Sequence, residues 1–332
     1  MKKILIIQTA FIGDVILATP IIEKLSEFYP EAKIDFLLRR GNGGLLKEHP
    51  KLNAVYIWKK DQSKYANLLK IIYLVRRKNY DCVINIQRHF ASGLITALSN
   101  SRLKIGFRKN PFSFTFDKKI GHRLIGQHET GRNLTLVKEL TDDKYVRPQL
   151  YPRKVDYASV EKYQGIPYLC LAPTSVWGTK QLPSLKWVEI ILAQEDQWII
   201  YLLGGKDDEA ACDEIREMCD RSNVINLAGK LSFLESAALM EKASMNYVND
   251  SAPMHMASAV NAPTNAVFCS TIPSFGFGPL GNNSKVIETQ KELSCRPCGL
   301  HGKKSCPLGH FDCAYSINKN QFDRPQYPEK EE

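Results

Sequence analysis

Short apolar runs alternate with amphipathic stretches from the first residues of the chain onward. Lys3-Ile-Leu-Ile-Ile7 is nearly continuous in apolar side chains, the pattern of a central parallel strand covered on both faces. Behind it Ile16, Leu17, Ile21, Ile22 and Leu25 recur at helical spacing, which predicts a helix beginning near Asp14. Residues 32–38, 55–58, 81–86 and 104–107 read as further strands. Residues 65–78 read as a helix burying Leu68, Leu69, Ile72 and Val75, and 129–140 as another. Between about 141 and 167 the periodicity lapses at Pro148, Pro152, Gly165 and Pro167, which reads as a linker. A second series follows, with strands at 168–172, 198–203, 224–227, 245–248 and 264–268 and a helix over 185–193.

Strands alternating with helices argue for doubly wound parallel sheets. The 332 residues suffice for two domains, each with its own core. The expected architecture is therefore α/β: two Rossmann-like domains with parallel sheets facing a central cleft. The first spans 1–155 and the second 156–317, followed by a polar, proline-broken tail over 318–332 that is expected to be disordered. Neither domain has a G-x-G-x-x-G turn, so a dinucleotide-dependent dehydrogenase loses its main support.

Composition narrows this picture. No stretch approaches the roughly 18 apolar residues of a spanning helix, and the start of the chain lacks a signal-peptide pattern, so a cytoplasmic location is expected. Nine cysteines, an odd number, fit a reducing compartment. Charge is uneven: residues 1–160 carry 29 Lys and Arg against 14 Asp and Glu, while the remainder carries 16 against 21. Arg102, Lys104, Arg108, Lys109, Lys118, Lys119 and Arg123 crowd one stretch together with Phe107, Phe112, Phe114 and Phe116. Such a mixture suits an anionic partner, either nucleic acid or an anionic membrane and its phosphorylated glycolipids. Scattered lysines more often only solvate a surface.

Four turns carry candidate chemistry. Asp14 follows the first strand, where it is either a helix cap or a general base at the carboxyl end of a sheet. Thr174, Ser175 and Lys180, in a strand-to-helix loop, can bind phosphate through hydroxyls and a point charge, or form a plain turn. Leu202-Leu-Gly-Gly205 ends a strand in glycines that let a nucleotide approach the backbone. Asn249-Asp-Ser-Ala-Pro-Met-His255 closes another strand, with Asp250 a cap or a ligand group and His255 a core histidine or a contact. The last three, all in the second domain and expected on one edge of one sheet, converge on a ligand site.

The chain resembles the ADP-heptose:lipopolysaccharide heptosyltransferases, glycosyltransferase family 9, of the heptosyltransferase II type, over about residues 2–317. The resemblance rests on 9–20 with its Ile12-Gly-Asp14 core, His128-Glu-Thr-Gly-Arg-Asn-Leu134, 173–183 with Lys180, Asp250-Ser-Ala-Pro-Met-His255 and Cys306-Pro-Leu-Gly-His310, in order along the chain. It implies the two-domain GT-B fold and inverting transfer of a heptose from an ADP-sugar to the inner core of lipopolysaccharide. Asp14 would be the base. Thr174, Ser175, Lys180, Asp250, Ser251, Ala252 and His255 would bind the donor, with Leu231 beside the adenine. ADP-heptose is then a co-substrate, no cofactor or metal is required, and the acceptor is a Kdo or heptose of the phosphorylated inner core.

Arg88, Arg102, Arg108 and Arg132 become candidate contacts to that acceptor or to the anionic inner face of the cytoplasmic membrane. Arg132 has a second use, pairing with Glu129 at i+3. The sequence departs from the family at Gln8, where many members carry Arg or Lys. Cys295, Cys298, Cys306 and Cys313 begin with zinc-knuckle spacing but do not repeat it, so structural zinc is the lesser alternative. A GT-B transferase of another nucleotide sugar and a sugar-nucleotide epimerase are the competing enzyme readings. A nucleic-acid-binding protein is the third; no known module supports it.

Overall fold

The apolar run at the start becomes β1 (Lys3–Ile7), buried from Ile4 onward. It is followed by α1 (Ile12–Ile16), α2 (Thr19–Phe28), β2 (Lys33–Arg39), β3 (Ala54–Trp58), α3 (Lys64–Lys78) and β4 (Cys82–Asn85). Then come α4 (Phe90–Ala97), β5 (Leu103–Phe107), β6 (Lys118–Ile120) and α5 (Glu129–Leu134). The six strands form one parallel sheet in the order β3-β2-β1-β4-β5-β6. α3 lays Leu68, Ile71, Ile72 and Val75 over Leu5, Ile7, Leu37 and Trp58. These elements make one unit, Met1–Tyr151, and Pro152–Glu332 make a second. The computed structural model describes residues 1–60 and 63–327.

The second unit repeats the plan. It contains α6 (Lys154–Val160), β7 (Tyr168–Ala172), α7 (Ser184–Leu192), β8 (Ile199–Leu202), α8 (Glu209–Cys219), β9 (Val224–Asn226), α9 (Phe233–Lys242) and β10 (Met245–Asn249). α10 (Ala252–Ala259), β11 (Thr264–Phe268), β12 (Ser284–Glu288) and α11 (Asp312–Tyr315) complete it. Its parallel sheet runs β12-β11-β10-β7-β8-β9 around a core that includes Trp187, Trp198 and Ile200. Counted within each unit, both strand orders are the 3-2-1-4-5-6 of the Rossmann fold. Each sheet therefore has one switch point, β1/β4 in the first unit and β7/β10 in the second, and ligands of such sheets bind there, beyond the carboxyl ends of the strands.

The α/β class and the parallel sheets are as the sequence predicts, while several elements differ in detail. The helix expected from Asp14 onward is two short helices, because Pro20 has no N–H to give and its ring crowds the carbonyl of Ile16. Thr19 Oγ1 takes up that carbonyl at 2.7 Å. Leu69 is 66% exposed, since the buried stripe of α3 runs through Leu68, Ile71, Ile72 and Val75 and Leu69 lies one residue off it. The helix expected to reach residue 140 stops as α5 at Leu134 and continues in turns, with Leu136 N bonded to Asn133 O and Val137 N to Leu134 O. α6 lies inside the stretch read as linker; its burial rests on Asp156 and Val160 alone, too few positions to show a period. α4 and β6, short and interrupted by Gly93 or by lysines, escape the pattern altogether.

The tail also differs. Residues 318–327 pack on the second unit instead of trailing in water, because Phe322 joins its core and Tyr327 meets Trp198 edge-on at 4.9 Å. Tyr247 Oη donates to Asp323 O at 2.8 Å and holds the backbone down. Residues 328–332 lie outside the described residues.

Candidate active site

In the first unit the β1 end of the switch point carries Gln8, Thr9 and Asp14, and the β4 end carries Gln87 and Arg88. Gln8 and Gln87 are buried and bonded to each other through their side-chain amides. Lys60, just past β3, donates to Thr9 O and Thr9 Oγ1, both at 2.9 Å, and brings a cation beside the turn in which Gln8 has none. Asp14 is the third residue of α1, and its Oδ2 accepts the N–H of Phe11 at 3.2 Å. The cap occupies one carboxylate oxygen, so capping and proton transfer are compatible uses of the same side chain.

Behind Asp14 lies a charged cluster. Glu129, in the first turn of α5, is 2.9 Å from Arg132 Nε and 3.6 Å from His122 Nε2, and His122 Nδ1 is 3.5 Å from Arg88 Nη1. Burial alone would raise the Glu129 carboxyl, but His122, Arg132 and Arg88 outweigh it and hold Glu129 below the ordinary carboxylate range. Asp14 is shifted the other way, up to about 6, first by burial and then by the like charge of Glu129, against the pull of the Phe11 N–H and Arg88.

The four arginines separate. Arg88 and Arg108 are exposed at the carboxyl ends of β4 and β5, on the edge that carries Asp14. Arg102 precedes β5, so it lies at the opposite end of the sheet, where its side chain, 87% exposed, is 3.9 Å from Asp81. It cannot share a site with Asp14, and its assignment as an acceptor contact is corrected. Arg132 is 1% exposed; besides Glu129 it donates to the carbonyls of Arg123 and Leu124 at 3.1 and 3.0 Å. The i+3 pairing is thus what the structure adopts, and direct contact of Arg132 with an acceptor is corrected likewise. Arg132→Met should take the nearest cation from the buried Glu129 carboxylate, leaving it His122, and destabilise the fold by about 3–5 kcal/mol. A thermal melt checks this: an unchanged midpoint together with a raised acceptor KM would restore Arg132 to the acceptor site.

In the second unit the switch point is built by the loop after β7 and the turn after β10. Asn249, fully buried, fixes both ends of the loop, donating to Pro173 O at 2.7 Å and accepting from Leu182 N at 3.0 Å. Lys180 Nζ is 2.7 Å from Asp250 Oδ2, and Thr271 Oγ1 donates to the same oxygen at 2.6 Å. Thr179 Oγ1 accepts from Ser270 Oγ at 2.9 Å and from Lys303 N at 2.7 Å, which bolts residues 302–304 over the loop. Only glycine fits at Gly302: its φ is +74°, and a Cβ would stand 2.9 Å from Thr179 Oγ1. Thr174 and Ser175 are half-buried in the loop. Ser251, in extended conformation, precedes α10 without giving it a side-chain cap, so α10 presents backbone N–H groups at the switch point.

His255 is buried in α10, and Ala252 opens that helix. Leu231 is half-buried in the turn after β9, on the same edge but two strands from β7. Sequence reasoning missed Lys60, His122, Thr179, Ser270 and Thr271, and reached Glu129 only as the partner of Arg132. Of these only Glu129 had a signal, that i+3 spacing. Among the described residues no group of three or more His, Cys, Asp or Glu is arranged to hold a metal ion. Cys295, Cys298 and Cys306 are half-buried thiols, Cys313 is buried in α11, and Cys295 Sγ lies 4.0 Å from His310 Nε2.

Two parallel sheets of Rossmann order, each with polar and charged groups at its switch point, have the plan of the two-domain GT-B fold. Comparison with known proteins carries this further. A family model described as glycosyltransferase family 9 (heptosyltransferase) matches residues 68–308. The chain is 32% identical over 293 residues to lipopolysaccharide heptosyltransferase 3 of Escherichia coli, covering 82% of this chain and 85% of that one. Its fold matches the E. coli ADP-heptose lps heptosyltransferase II with a TM-score of 0.77 at 20% identity, covering 90% of this chain and 96% of that chain. It matches E. coli heptosyltransferase WaaC with ADP with a TM-score of 0.70 at 22% identity, covering 86% and 92%. The chain belongs to glycosyltransferase family 9, the heptosyltransferases.

Proposed function

We propose that the chain is an inverting heptosyltransferase that moves a heptose from ADP-L-glycero-D-manno-heptose to the inner core of lipopolysaccharide, with Asp14 as general base. The observation that carries this is the place of Asp14: a carboxylate at the β1/β4 switch point of a family 9 chain, raised to about 6 and so still ionised at neutral pH. Asp14 takes the proton of the acceptor hydroxyl as its oxygen attacks the anomeric carbon. The bond from that carbon to the diphosphate breaks on the opposite face, and ADP leaves. The first unit holds the acceptor, with Arg88 and Arg108 toward its phosphates and carboxylates. The second holds the donor. Lys180 and the N–H groups opening α10 face the departing charge, Asp250 and Thr271 fix Lys180 in position, and Thr174, Ser175, Ser251, Ala252, His255 and Leu231 complete the contacts.

The acceptor places the protein at the inner face of the cytoplasmic membrane as a peripheral enzyme; among the described residues no helix is long and apolar enough to cross one. A donor panel tests the reading. Incubation with a deacylated inner-core acceptor should release ADP from ADP-heptose and no nucleotide from UDP- or GDP-sugars. Release of UDP or GDP would keep the transferase and replace the donor.

A further inference from the structure

Two phenylalanines stand in water at the carboxyl edge of the first sheet, joined by a third that is half-buried. Phe90, the first residue of α4, is 61% exposed, and Phe114, in the loop after β5, is 73% exposed. Phe112 links them, with its ring centroid 5.0 Å from that of Phe90 and 6.0 Å from that of Phe114. A buried frame fixes the backbone that carries Phe112. Asn110 donates to the carbonyls of Gln87 and His89 at 2.9 and 3.2 Å and accepts the N–H of Phe112 at 2.9 Å. Gly93 makes room for that frame, since a Cβ there would stand 2.1 Å from Asn110 Oδ1 and 3.0 Å from Phe112 Cδ2. The backbone on either side of the rings is thus tied to the core, while Phe90 and Phe114 remain exposed. A contiguous apolar patch on a surface marks an interaction site.

The charge around the patch names the partner. Residues 82–128 contain eight Lys and Arg and one acidic residue, Asp117, whose Oδ2 accepts the N–H of Lys104 at 2.7 Å. Exposed Arg88, Arg108 and Lys109 adjoin the rings in the chain. Aromatic rings rimmed by cations suit the boundary between headgroups and acyl chains of an anionic bilayer. We propose that this edge docks on an anionic lipid membrane, Phe90 and Phe114 entering the interface and the cations meeting the headgroups. The docking would bring Asp14, on the same edge, to a membrane-anchored acceptor; in that respect it rests on the function proposed above.

Sedimentation with vesicles tests it. Wild-type protein should bind phosphatidylcholine vesicles containing about one-third phosphatidylglycerol about tenfold more tightly than pure phosphatidylcholine, and salt should weaken the binding. The double variant Phe90→Ser, Phe114→Ser should bind about tenfold more weakly than wild type to the anionic vesicles. Lys109→Glu should lose binding to anionic vesicles selectively. Both variants should keep the wild-type melt and the wild-type turnover of a deacylated, soluble acceptor. Absence of wild-type binding at low salt, or undiminished binding by the double variant, overturns the proposal. So does equal loss of soluble-acceptor turnover, which would make the rings part of the sugar site, or binding of single-stranded nucleic acid in preference to vesicles. Vesicle binding without any heptose transfer would count against the enzyme reading and leave the docking surface standing.

Discussion

Asp14→Asn should lower kcat for heptose transfer by about 10²–10⁴-fold, the usual contribution of a general base, while donor KM changes little. The same substitution should make the protein more stable at neutral pH. Burial and Glu129 raise the Asp14 carboxyl from its ordinary value to about 6, so the folded state binds a proton more tightly than the unfolded chain does. Such a group favours the fold fully below its unfolded pKa, and that contribution is lost as pH rises through about 6. At pH 7.5 the ionised carboxylate is therefore a cost to the fold, and an amide avoids it while still accepting the Phe11 N–H. One pKa unit is worth about 1.4 kcal/mol, and solvent reaching this half-buried group trims the gain to about 1–2 kcal/mol. Melts of both proteins at pH 7.5 and at pH 3.5 check this: the gain should appear only at the higher pH. A variant that loses activity and also loses stability at neutral pH would mean that the substitution had damaged the turn, not removed a base.

Lys180→Ala carries the second large effect. Lys180 is pinned to Asp250 Oδ2, and that oxygen is also held by Thr271 from the end of β11. The ammonium is thus pre-positioned at the β7/β10 switch point, where charge on a leaving diphosphate needs no reorganisation to be met. The variant should lose about 10²–10³-fold in kcat/KM. ADP binding, followed by calorimetry, should weaken in parallel, because the product carries the same diphosphate. The buried Asp250 carboxylate keeps only its Thr271 hydrogen bond in the variant, so stability should also fall, by about 3–5 kcal/mol, and activity and ADP binding are compared well below the lowered melt. Wild-type ADP affinity in Lys180→Ala would remove the lysine from the donor site.

The sequence announces its fold through β1 and β7, whose apolar runs are buried from end to end, and through the alternation that follows each. What it announces less well is what happens at turns and ends. Pro20 splits a helix that the periodicity joins. α4, two turns interrupted by Gly93, and β6, three residues with two lysines, show no clear period, although α4 seats Phe90 and β6 leads into His122. The candidate site divides on the same principle. Asp14, Lys180 and Asp250 sit at strand ends that apolar runs mark in the chain, so their placement is legible. Thr271, Thr179 and Lys60 act through partners far away in sequence, and only the parallel pairing of the strands brings them together. Arg102 and Arg132 show the converse. A charge in a sequence reveals neither which end of its strand it occupies nor whether it is consumed by a buried partner, and those two facts remove both residues from the acceptor surface.

The base role of Asp14 is the center of this account, and the pH dependence of kcat/KM tests it most directly, because that profile reports the ionisation of the free enzyme. With ADP-heptose and a deacylated inner-core acceptor, the wild-type profile should fall on the acid side with a midpoint near 6, one proton per decade of rate, and the residual activity of Asp14→Asn should lack that limb. A flat wild-type profile from pH 5 to pH 8, or an acid limb that persists in Asp14→Asn, would contradict it.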